Sequence, residues 1–448
     1  MEDSREADAP RRRVLIIAYY WPPAGGPGVQ RWLKFTKYLP DCGWQPTMVV
    51  PLGAAYPVED ASLGADVSED MEVHRIPIFE PYEWVLRLFR KKGKTERLGS
   101  ISTGKQRESP AQKLMLWARG NLLLPDPRVL WRKPCRRSVL ALLKKAAASG
   151  NPYEAVITTG PPHSVHLIGL DVKRKTGLPW IADFRDPWRE MDYLADFHPT
   201  ARTRRRHLQM EGAVVAHCNA VLSTSKGIQT SFSVHPDADR KINLIPNGWD
   251  EADYETETAG KPLFTAQPSS CWHLGHFGSA FPIRNAPGLW EAIARHNASD
   301  GKTIHLHFFG VVNGEVAADL NHHLKGHWTD HGYINHREAV GAMRAMDALL
   351  ILQNRSESGR HAIPGKTFEY LAHDKPLAVV TPSPSDLDDL IREWGFTTIG
   401  YEDPHAAGAL LQELMTNPRP KAQVRIAYTR RQLTAELGNL LDKLTTPN

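Results

Sequence analysis

Cysteine is scarce in this sequence, with four residues among 448. No two have the CxxC spacing used by zinc sites and thiol redox motifs; they are Cys42, Cys135, Cys218 and Cys271. His163 and His166 do not have the spacing of an HExxH zinc helix either. We therefore expect no metal site, and a reducing compartment fits this composition.

Long apolar runs are also lacking. No stretch approaches the roughly 18 apolar residues of a membrane-spanning helix, and residues 1–10 have no signal-peptide core. We predict a cytoplasmic protein whose membrane contact would be peripheral, on the inner face of the cell membrane. The net charge of +5 is modest, and no motif for nucleic-acid binding accompanies it, so we expect no nucleic-acid partner.

Short apolar strands alternate with helical patterns, which predicts parallel α/β architecture. A polar, aperiodic stretch at 256–270 interrupts the alternation, which then restarts. We predict a domain at 1–255, a linker at 256–270 and a domain at 271–448 that includes C-terminal helices. A cleft between two doubly wound domains is the expected ligand site. Strands are predicted at 14–18, 46–50, 72–76, 155–158, 180–183, 220–223, 242–245, 273–278, 305–310, 348–352 and 377–380.

The stretch 363–372, Ile-Pro-Gly-Lys-Thr-Phe-Glu-Tyr-Leu-Ala, is the most informative motif. A Pro-Gly turn opens a helix whose free N–H groups suit a phosphate. Lys366 in its first turn adds a positive charge, and Glu369 on the same face can accept two ribose hydroxyls. The alternative is an ordinary amphipathic helix with a solvated lysine and glutamate.

Three further loops follow predicted strands of the first half. Residues 19–31 contain Gly25 and Gly26, which allow close approach of a ligand, although a plain turn is the alternative. His163 enters a helix and can bind a sugar hydroxyl, or can be a boundary histidine. Asp186 is a candidate for an acceptor hydroxyl, whereas Asp183 and Arg185 can equally form a structural ion pair.

Two basic features remain. In the first loop of the second half, Arg284 can bind a diphosphate, or can be an unremarkable surface residue. The segment 82–137 mixes basic and apolar residues. It fits either a helical layer packed on the domain or a surface that contacts an anionic membrane.

Five motifs in this order resemble a bacterial glycosyltransferase of the family 4 type, with the GT-B fold of two Rossmann-like domains facing a cleft. They are Tyr-Tyr-Trp-Pro-Pro…Gly-Gly…Gln-Arg at 19–31, Thr-Gly-Pro-Pro-His-Ser at 159–164, Ala-Asp-Phe-Arg-Asp-Pro-Trp at 182–188, Ile-Pro-Asn-Gly-Trp-Asp at 245–250, and Pro-Gly-Lys-Thr-Phe-Glu-Tyr-Leu-Ala at 364–372. The resemblance implies an acceptor bound by the N-terminal domain and a nucleotide-sugar donor bound by the C-terminal one. It also implies retention of anomeric configuration, no metal at the diphosphate and no other cofactor.

The resemblance also assigns residues. Gly25 and Gly26 match the glycine loop that faces the diphosphate and acceptor, and His163 matches the histidine beside the transferred sugar. Arg284 and Lys366 are the cations for the leaving diphosphate, and Glu369 matches the glutamate that binds ribose. One position departs from the pattern: the family usually has a glutamate eight residues before Glu369. Here that place is His361, with Glu357 nearby.

These observations predict an enzyme that transfers a sugar from a nucleotide-diphosphate donor to a hydroxyl of a glycan or lipid-linked acceptor. The setting would be cell-surface polysaccharide or glycolipid synthesis. Two alternatives remain open. One is an NDP-sugar epimerase or phosphorylase of the same fold. The other is a non-catalytic scaffold of a polysaccharide-assembly complex, in which the missing glutamate would mark lost activity.

Overall fold

A computed structural model describes residues 11–80, 110–190, 194, 197–255, 271–299, 301–416, 418–420 and 422–446. The predicted linker 256–270 and the first part of the basic segment, 82–109, lie outside the described residues.

The chain forms two parallel sheets, as the alternation of elements predicts. The first has seven strands in the order β3-β2-β1-β4-β5-β6-β7, and the second has six in the order β10-β9-β8-β11-β12-β13. The strands are β1 Arg12–Ala18, β2 Trp44–Leu52, β3 Glu72–Pro77, β4 Tyr153–Gly160, β5 Trp180–Phe184, β6 Ala220–Ser223, β7 Ile242–Leu244, β8 Cys271–Phe277, β9 Thr303–Phe309, β10 Trp328–Asp330, β11 Ala348–Leu352, β12 Leu377–Val380 and β13 Thr398–Ile399.

Helices cover both faces of each sheet, so the central strands are buried on both sides and read as continuous apolar runs. The α-helices are α1 Pro27–Tyr38, α2 Pro110–Leu122, α3 Arg132–Ala148, α4 Ser164–Thr176, α5 Ala201–His217, α6 Lys226–Ser231, α7 Ala252–Glu255, α8 Pro287–Asn297, α9 Gly314–Leu324, α10 His336–Ala345, α11 Glu357–Arg360, α12 Gly365–Ala372, α13 Asp386–Glu393, α14 Pro404–Met415, α15 Ala422–Ala427 and α16 Arg430–Thr445.

The last helix crosses back to the first domain. Leu433, Leu437 and Leu441 of α16 are buried in the same core cluster as β1 and α1. The Asp442 carboxylate accepts hydrogen bonds at 3.0 Å from both Arg12 and the Trp44 indole. The chain therefore joins its two domains twice, once between β7 and β8 and once through α16.

The two shortest edge strands of the second sheet, β10 and β13, were not anticipated. They have three and two residues, too few to show a strand period. Among the described residues, no helix is both long and apolar enough to cross a membrane.

Candidate functional site

The start of α12 forms the first part of the site. Lys366 lies in its first turn, and its Nζ is buried without a hydrogen-bond partner among the described residues. The ammonium lies directly over Gly278, where a Cβ atom would come within 2.5 Å of Nζ. Gly278 has a φ of +139°, a conformation that side-chain-bearing residues rarely adopt. A glycine at the end of β8 therefore makes room for the lysine.

Arg284 supplies a second positive charge close to Lys366. Its Nε donates to Asn354 Oδ1 at 2.6 Å and its NH1 donates to the carbonyl of Ser279 at 2.9 Å, so the guanidinium is held in place. Burial and, to a smaller extent, repulsion from Arg284 lower the pKa of Lys366 to about 7, although Glu369 opposes the shift. Two cations that destabilise each other without a ligand form a site suited to an anion.

His276 adds a polar atom that the sequence did not indicate. Its Nδ1 bonds to the carbonyl of Leu350 at 3.0 Å, and its buried Nε2 has no partner among the described residues. Burial, together with Lys366, holds the pKa of this imidazole well below its usual value. His276 is therefore a neutral group beside the two cations at the carboxyl end of β8.

Glu369 lies one turn after Lys366 and is half-buried. Among its neighbours is Arg430, the first residue of α16, whose buried NH1 is unpaired within the described part of the chain. Burial and the nearby Arg31 lower the pKa of Arg430 to about 10, and Glu369 partly offsets this shift. Because Arg430 follows Glu369 by some sixty positions, only the return of the last helix brings them together.

The two candidates for the position of the missing glutamate have different surroundings. The Glu357 side chain is 87% exposed and pairs with Arg360 at 3.4 Å. His361 instead contacts the first domain: its carbonyl accepts a hydrogen bond from Ser225 Oγ, and a Cβ on Gly227 would overlap its ring. His361 is thus part of an interdomain contact in this structure.

That contact continues on α13. The backbone N–H of Gly227, in the first turn of α6, donates to the Asp386 carboxylate at 2.6 Å. A carboxylate of the second domain therefore caps a helix start of the first, where the free N–H groups favour negative charge. Together with His361, this bond joins the two domains beside the predicted cleft.

In the first domain, the glycine loop lies between β1 and α1. Gly26 has a φ of +87° and precedes the helix, and the N–H of Gly25 donates to the carbonyl of Val58 at 2.8 Å. Arg185 donates to the carbonyl of Gly28, in the first turn of α1, and also to the carbonyls of Gly160 and Pro161, at 3.1 and 2.7 Å. The arginine thereby links the start of α1 to the loops that follow β4 and β5.

His163 lies immediately before α4, and both of its buried ring nitrogens lack partners among the described residues. The imidazole stacks on Trp188, with ring centroids 4.8 Å apart and planes 9° apart. The indole N–H of Trp188 points to His207 Nδ1 at 3.0 Å. Burial, with smaller contributions from His166, His207 and Arg185, holds the pKa of His163 well below its usual value. A neutral imidazole with both nitrogens unpaired can bond to a hydroxyl.

Asp183, near the end of β5, and Asp186, just after the strand, have separate environments. Asp183 is fully buried and pairs with Arg31 at 2.9 Å, and it also accepts from Trp32 Nε1 at 2.7 Å and Thr159 Oγ1 at 2.8 Å. The possible ion pair between Asp183 and Arg185 is therefore wrong, because Arg31 takes that position. Burial raises the pKa of Asp186, and Arg185 only partly opposes this shift.

The structure thus assembles two groups of candidates at the carboxyl edges of the sheets. His163, Asp186 and the Gly25–Gly26 turn lie at the edge of the first sheet, where doubly wound folds bind ligands. Arg284, Lys366 and Glu369 lie at that of the second; His361 lies at the junction. No group of His, Cys, Asp and Glu among the described residues is arranged to hold a metal ion.

No family model matches this chain, and no curated protein matches it by sequence. Solved structures match over nearly the whole chain. The lipopolysaccharide outer core galactosyltransferase WaaB has a TM-score of 0.55 at 11% sequence identity. The alignment covers 96% of this chain and 99% of the WaaB chain. Anabaena HepE, solved with UDP and glucose, has a TM-score of 0.52 at 11% identity and 97% coverage of both chains.

A third similar structure is a putative UDP-N-acetylglucosamine 2-epimerase from Listeria monocytogenes, with a TM-score of 0.52 and 10% identity. The alignment covers 97% of this chain and 96% of the Listeria chain. At these identities the likeness shows the fold: two parallel-sheet α/β domains of the GT-B type. The predicted fold class is confirmed.

We expect the affinity for a nucleotide-sugar to fall by about tenfold or more between about pH 6 and pH 8.5. Lys366 is charged below its lowered pKa and neutral above it. A diphosphate favours the charged form, so binding takes up a proton as the pH rises through about 7. Calorimetric titration at several pH values, in buffers of different ionisation enthalpy, measures both effects. A nucleotide-sugar is the suitable ligand, because its diphosphate diester does not titrate in this range.

The matched control for this dependence is Lys366→Arg, which stays charged over the whole range. It should bind the donor with little pH dependence. An affinity that is flat with pH in the parent protein, or the same slope in the arginine variant, would show that Lys366 does not bind the diphosphate.

Proposed function

We propose that this chain is a retaining glycosyltransferase that moves a sugar from a nucleotide-diphosphate donor to a hydroxyl of a glycan or lipid-linked acceptor. Its setting would be cell-surface polysaccharide or glycolipid synthesis at the cytoplasmic face of the membrane. The observation that carries this proposal is the unpaired, buried ammonium of Lys366 beside Arg284, at a helix start in a GT-B fold. Two buried cations at a helix start favour an anionic ligand, and in this proposal the anion is the diphosphate leaving group of a sugar donor.

In this proposal the second domain binds the donor. Lys366, Arg284 and the free N–H groups of α12 receive the charge that develops as the glycosidic bond to the diphosphate breaks. Glu369 accepts the ribose hydroxyls. These cationic groups neutralise the diphosphate without a metal ion, and we propose no other cofactor.

The first domain would bind the acceptor. The acceptor oxygen attacks the anomeric carbon from the face that the diphosphate leaves, and its proton passes to the departing phosphate oxygen. No side chain is then needed as a nucleophile. His163, neutral and stacked on Trp188, bonds to a hydroxyl of the transferred sugar, while Asp186 orients the acceptor. Gly25 and Gly26 allow the diphosphate to approach the backbone.

The departure at His361 bears on the donor sugar. A glutamate at this place would accept hydrogen bonds from sugar hydroxyls, whereas His361 contacts Ser225 and Gly227. We propose that the nucleotide part of the donor is bound through Lys366 and Glu369, and that the sugar is recognised mainly by the first domain.

The proposal is tested by incubating the protein with a panel of NDP-sugars, with and without candidate acceptors, and measuring NDP release. One donor should be hydrolysed slowly without an acceptor. Glu369→Ala should weaken binding of that nucleotide by about tenfold or more, because two hydrogen bonds to a carboxylate are lost. Glu357→Ala is the matched control, since its side chain is exposed, and it should bind the donor as the parent does.

A second candidate function is epimerisation of an NDP-sugar, which the similarity to the putative epimerase from Listeria monocytogenes favours. The same assay distinguishes the two, because an epimerase interconverts two NDP-sugars without releasing NDP. Phosphorylase activity would instead require inorganic phosphate as acceptor. No binding or turnover with any donor would support a non-catalytic scaffold and contradict the proposal.

A further inference from the structure

Parts of two neighbouring helices in the first domain present basic residues, and these parts contain no acidic residue. Residues 110–125, which include α2, contain Lys113 and Arg119 but no Asp or Glu. Residues 199–210, at the start of α5, are likewise free of acidic residues. Their exposed arginines are Arg202, Arg204, Arg205 and Arg206. This concentration of one charge sign contrasts with the whole chain, in which 55 basic and 50 acidic residues nearly balance.

The two helices form one surface because Asn121 joins them. Its Oδ1 accepts hydrogen bonds from the backbone N–H of Thr200 at 3.0 Å and from Thr203 Oγ1 at 2.6 Å. Gly120 lies against Phe197, where a larger residue would collide with the phenylalanine side chain. The last turn of α2 is therefore fixed against the first turn of α5.

Apolar side chains are exposed on the same two helices. Leu122 at the end of α2 is 69% exposed, and Trp117, five positions earlier on the same helix, is also exposed. On α5, Leu208 is exposed and lies one turn from Arg204 and Arg205, on the same side of the helix. Exposed leucine and tryptophan interleaved with arginine fit the headgroup boundary of a lipid bilayer, where apolar groups insert and basic groups meet anionic lipid.

This surface adjoins the predicted acceptor side of the cleft. The chain leaving α2 reaches Asp126, whose carboxylate accepts hydrogen bonds from the backbone N–H and the hydroxyl of Ser164, both at 2.8 Å. Ser164 directly follows His163. The α2–α5 surface and His163 are thus connected by a short, fixed segment.

We propose that the α2–α5 surface, defined by Lys113, Trp117, Leu122, Arg204, Arg205 and Leu208, docks on an anionic lipid bilayer. Nucleic acid is the less favoured partner, because single strands need aromatic platforms for base stacking, whereas leucine supplies most of the apolar area here. The docked surface would bring a lipid-linked acceptor to His163, and this part of the inference rests on the proposed function. The docking itself does not depend on the proposed function.

The test is flotation of the purified full chain with vesicles of phosphatidylcholine alone or mixed with phosphatidylglycerol. The parent should float with the anionic vesicles at low salt, and binding should weaken as salt screens the charges. Arg204→Glu combined with Arg205→Glu should lower the partition coefficient by at least about tenfold. Leu122→Ser should lower it severalfold at any salt concentration, because it removes inserted apolar surface.

Matched controls exist elsewhere on the chain. Lys144→Glu combined with Lys145→Glu makes the same charge change at exposed positions of α3, and Ile426→Ser removes an apolar side chain that is 62% exposed on α15. Both should float like the parent. The proposal would be overturned if the control variants lowered flotation as much as the test variants, or if the parent did not float with anionic vesicles. Binding to a single-stranded oligonucleotide but not to vesicles would also overturn it.

Donor hydrolysis without acceptor, measured on the same preparations, separates this inference from the proposed function. The surface variants should retain it, since none of these residues lies at the donor site. A protein that floats but turns over no donor supports the docking surface and contradicts the glycosyltransferase. One that hydrolyses donor but does not float contradicts the docking surface alone.

Discussion

Replacing Lys366 with alanine should lower kcat/KM for the donor by about 10²–10³-fold, without destabilising the fold. The ammonium has no partner among the described residues and is close to Arg284, so its removal leaves no protein group unpaired. Loss of a buried, repelled charge should leave the free energy of unfolding unchanged or higher. Donor kinetics and urea unfolding on the same preparation measure the two effects.

Lys375 provides the matched control. It lies nine positions later, beyond the same helix, and its Nζ donates to the carbonyl of Met346. Lys375→Ala should therefore lose some stability and keep the donor kinetics of the parent, the reverse of Lys366→Ala. A Lys366→Ala protein that is as active as the parent would remove the observation on which the proposed function rests.

Replacing Asp183 with alanine should lower the free energy of unfolding of the first domain by about 3–5 kcal/mol, because it leaves a buried guanidinium without its counter-ion. Arg31 and Asp183 are both fully buried. The carboxylate also receives the Trp32 indole N–H and the Thr159 hydroxyl. Urea unfolding followed by tryptophan fluorescence measures the change.

The comparison for this prediction is Asp171→Ala. Asp171 pairs with Arg132, but that arginine side chain is 34% exposed, so the loss should stay near or below about 1 kcal/mol. Similar losses for the two variants would contradict the assignment of Asp183 as the centre of a buried network. The result bears on function as well, because Arg31 and Asp183 belong to two of the five sequence motifs and hold the loops that carry Gly25 and Asp186.

The fold followed from local patterns with few omissions. Every strand predicted from an apolar run is present, because strands buried between helix layers carry an unbroken apolar signal. The starts of α1, α4 and α12 were also expected from the glycine, proline and histidine turns before them. The strands β10 and β13 were not predicted, because two or three residues at a sheet edge are too few to show a hydrophobic period.

The site was predictable only in part. Lys366, Glu369, His163 and Asp186 stand in short motifs beside strand ends, so topology alone brings them to the carboxyl edges of the sheets. Arg430 and His276 gave no such signal. Arg430 comes close enough to Glu369 to feel its charge only because the last helix returns to the first domain. A lone histidine within a strand is indistinguishable from an ordinary core residue.

The sequence by itself determined the two α/β units and the positions of the loops that face the cleft, because hydrophobic period and turn residues are local properties. Only the tertiary structure decided which group pairs with each charged side chain. Arg31, not Arg185, neutralises Asp183, and His361 joins the domains. Lys366 lies near Arg284, and its ammonium has no hydrogen-bond partner in the part of the chain that the structure describes. Whether a charge is structural or free to bind a ligand depends on burial and on distant neighbours, which no local pattern encodes.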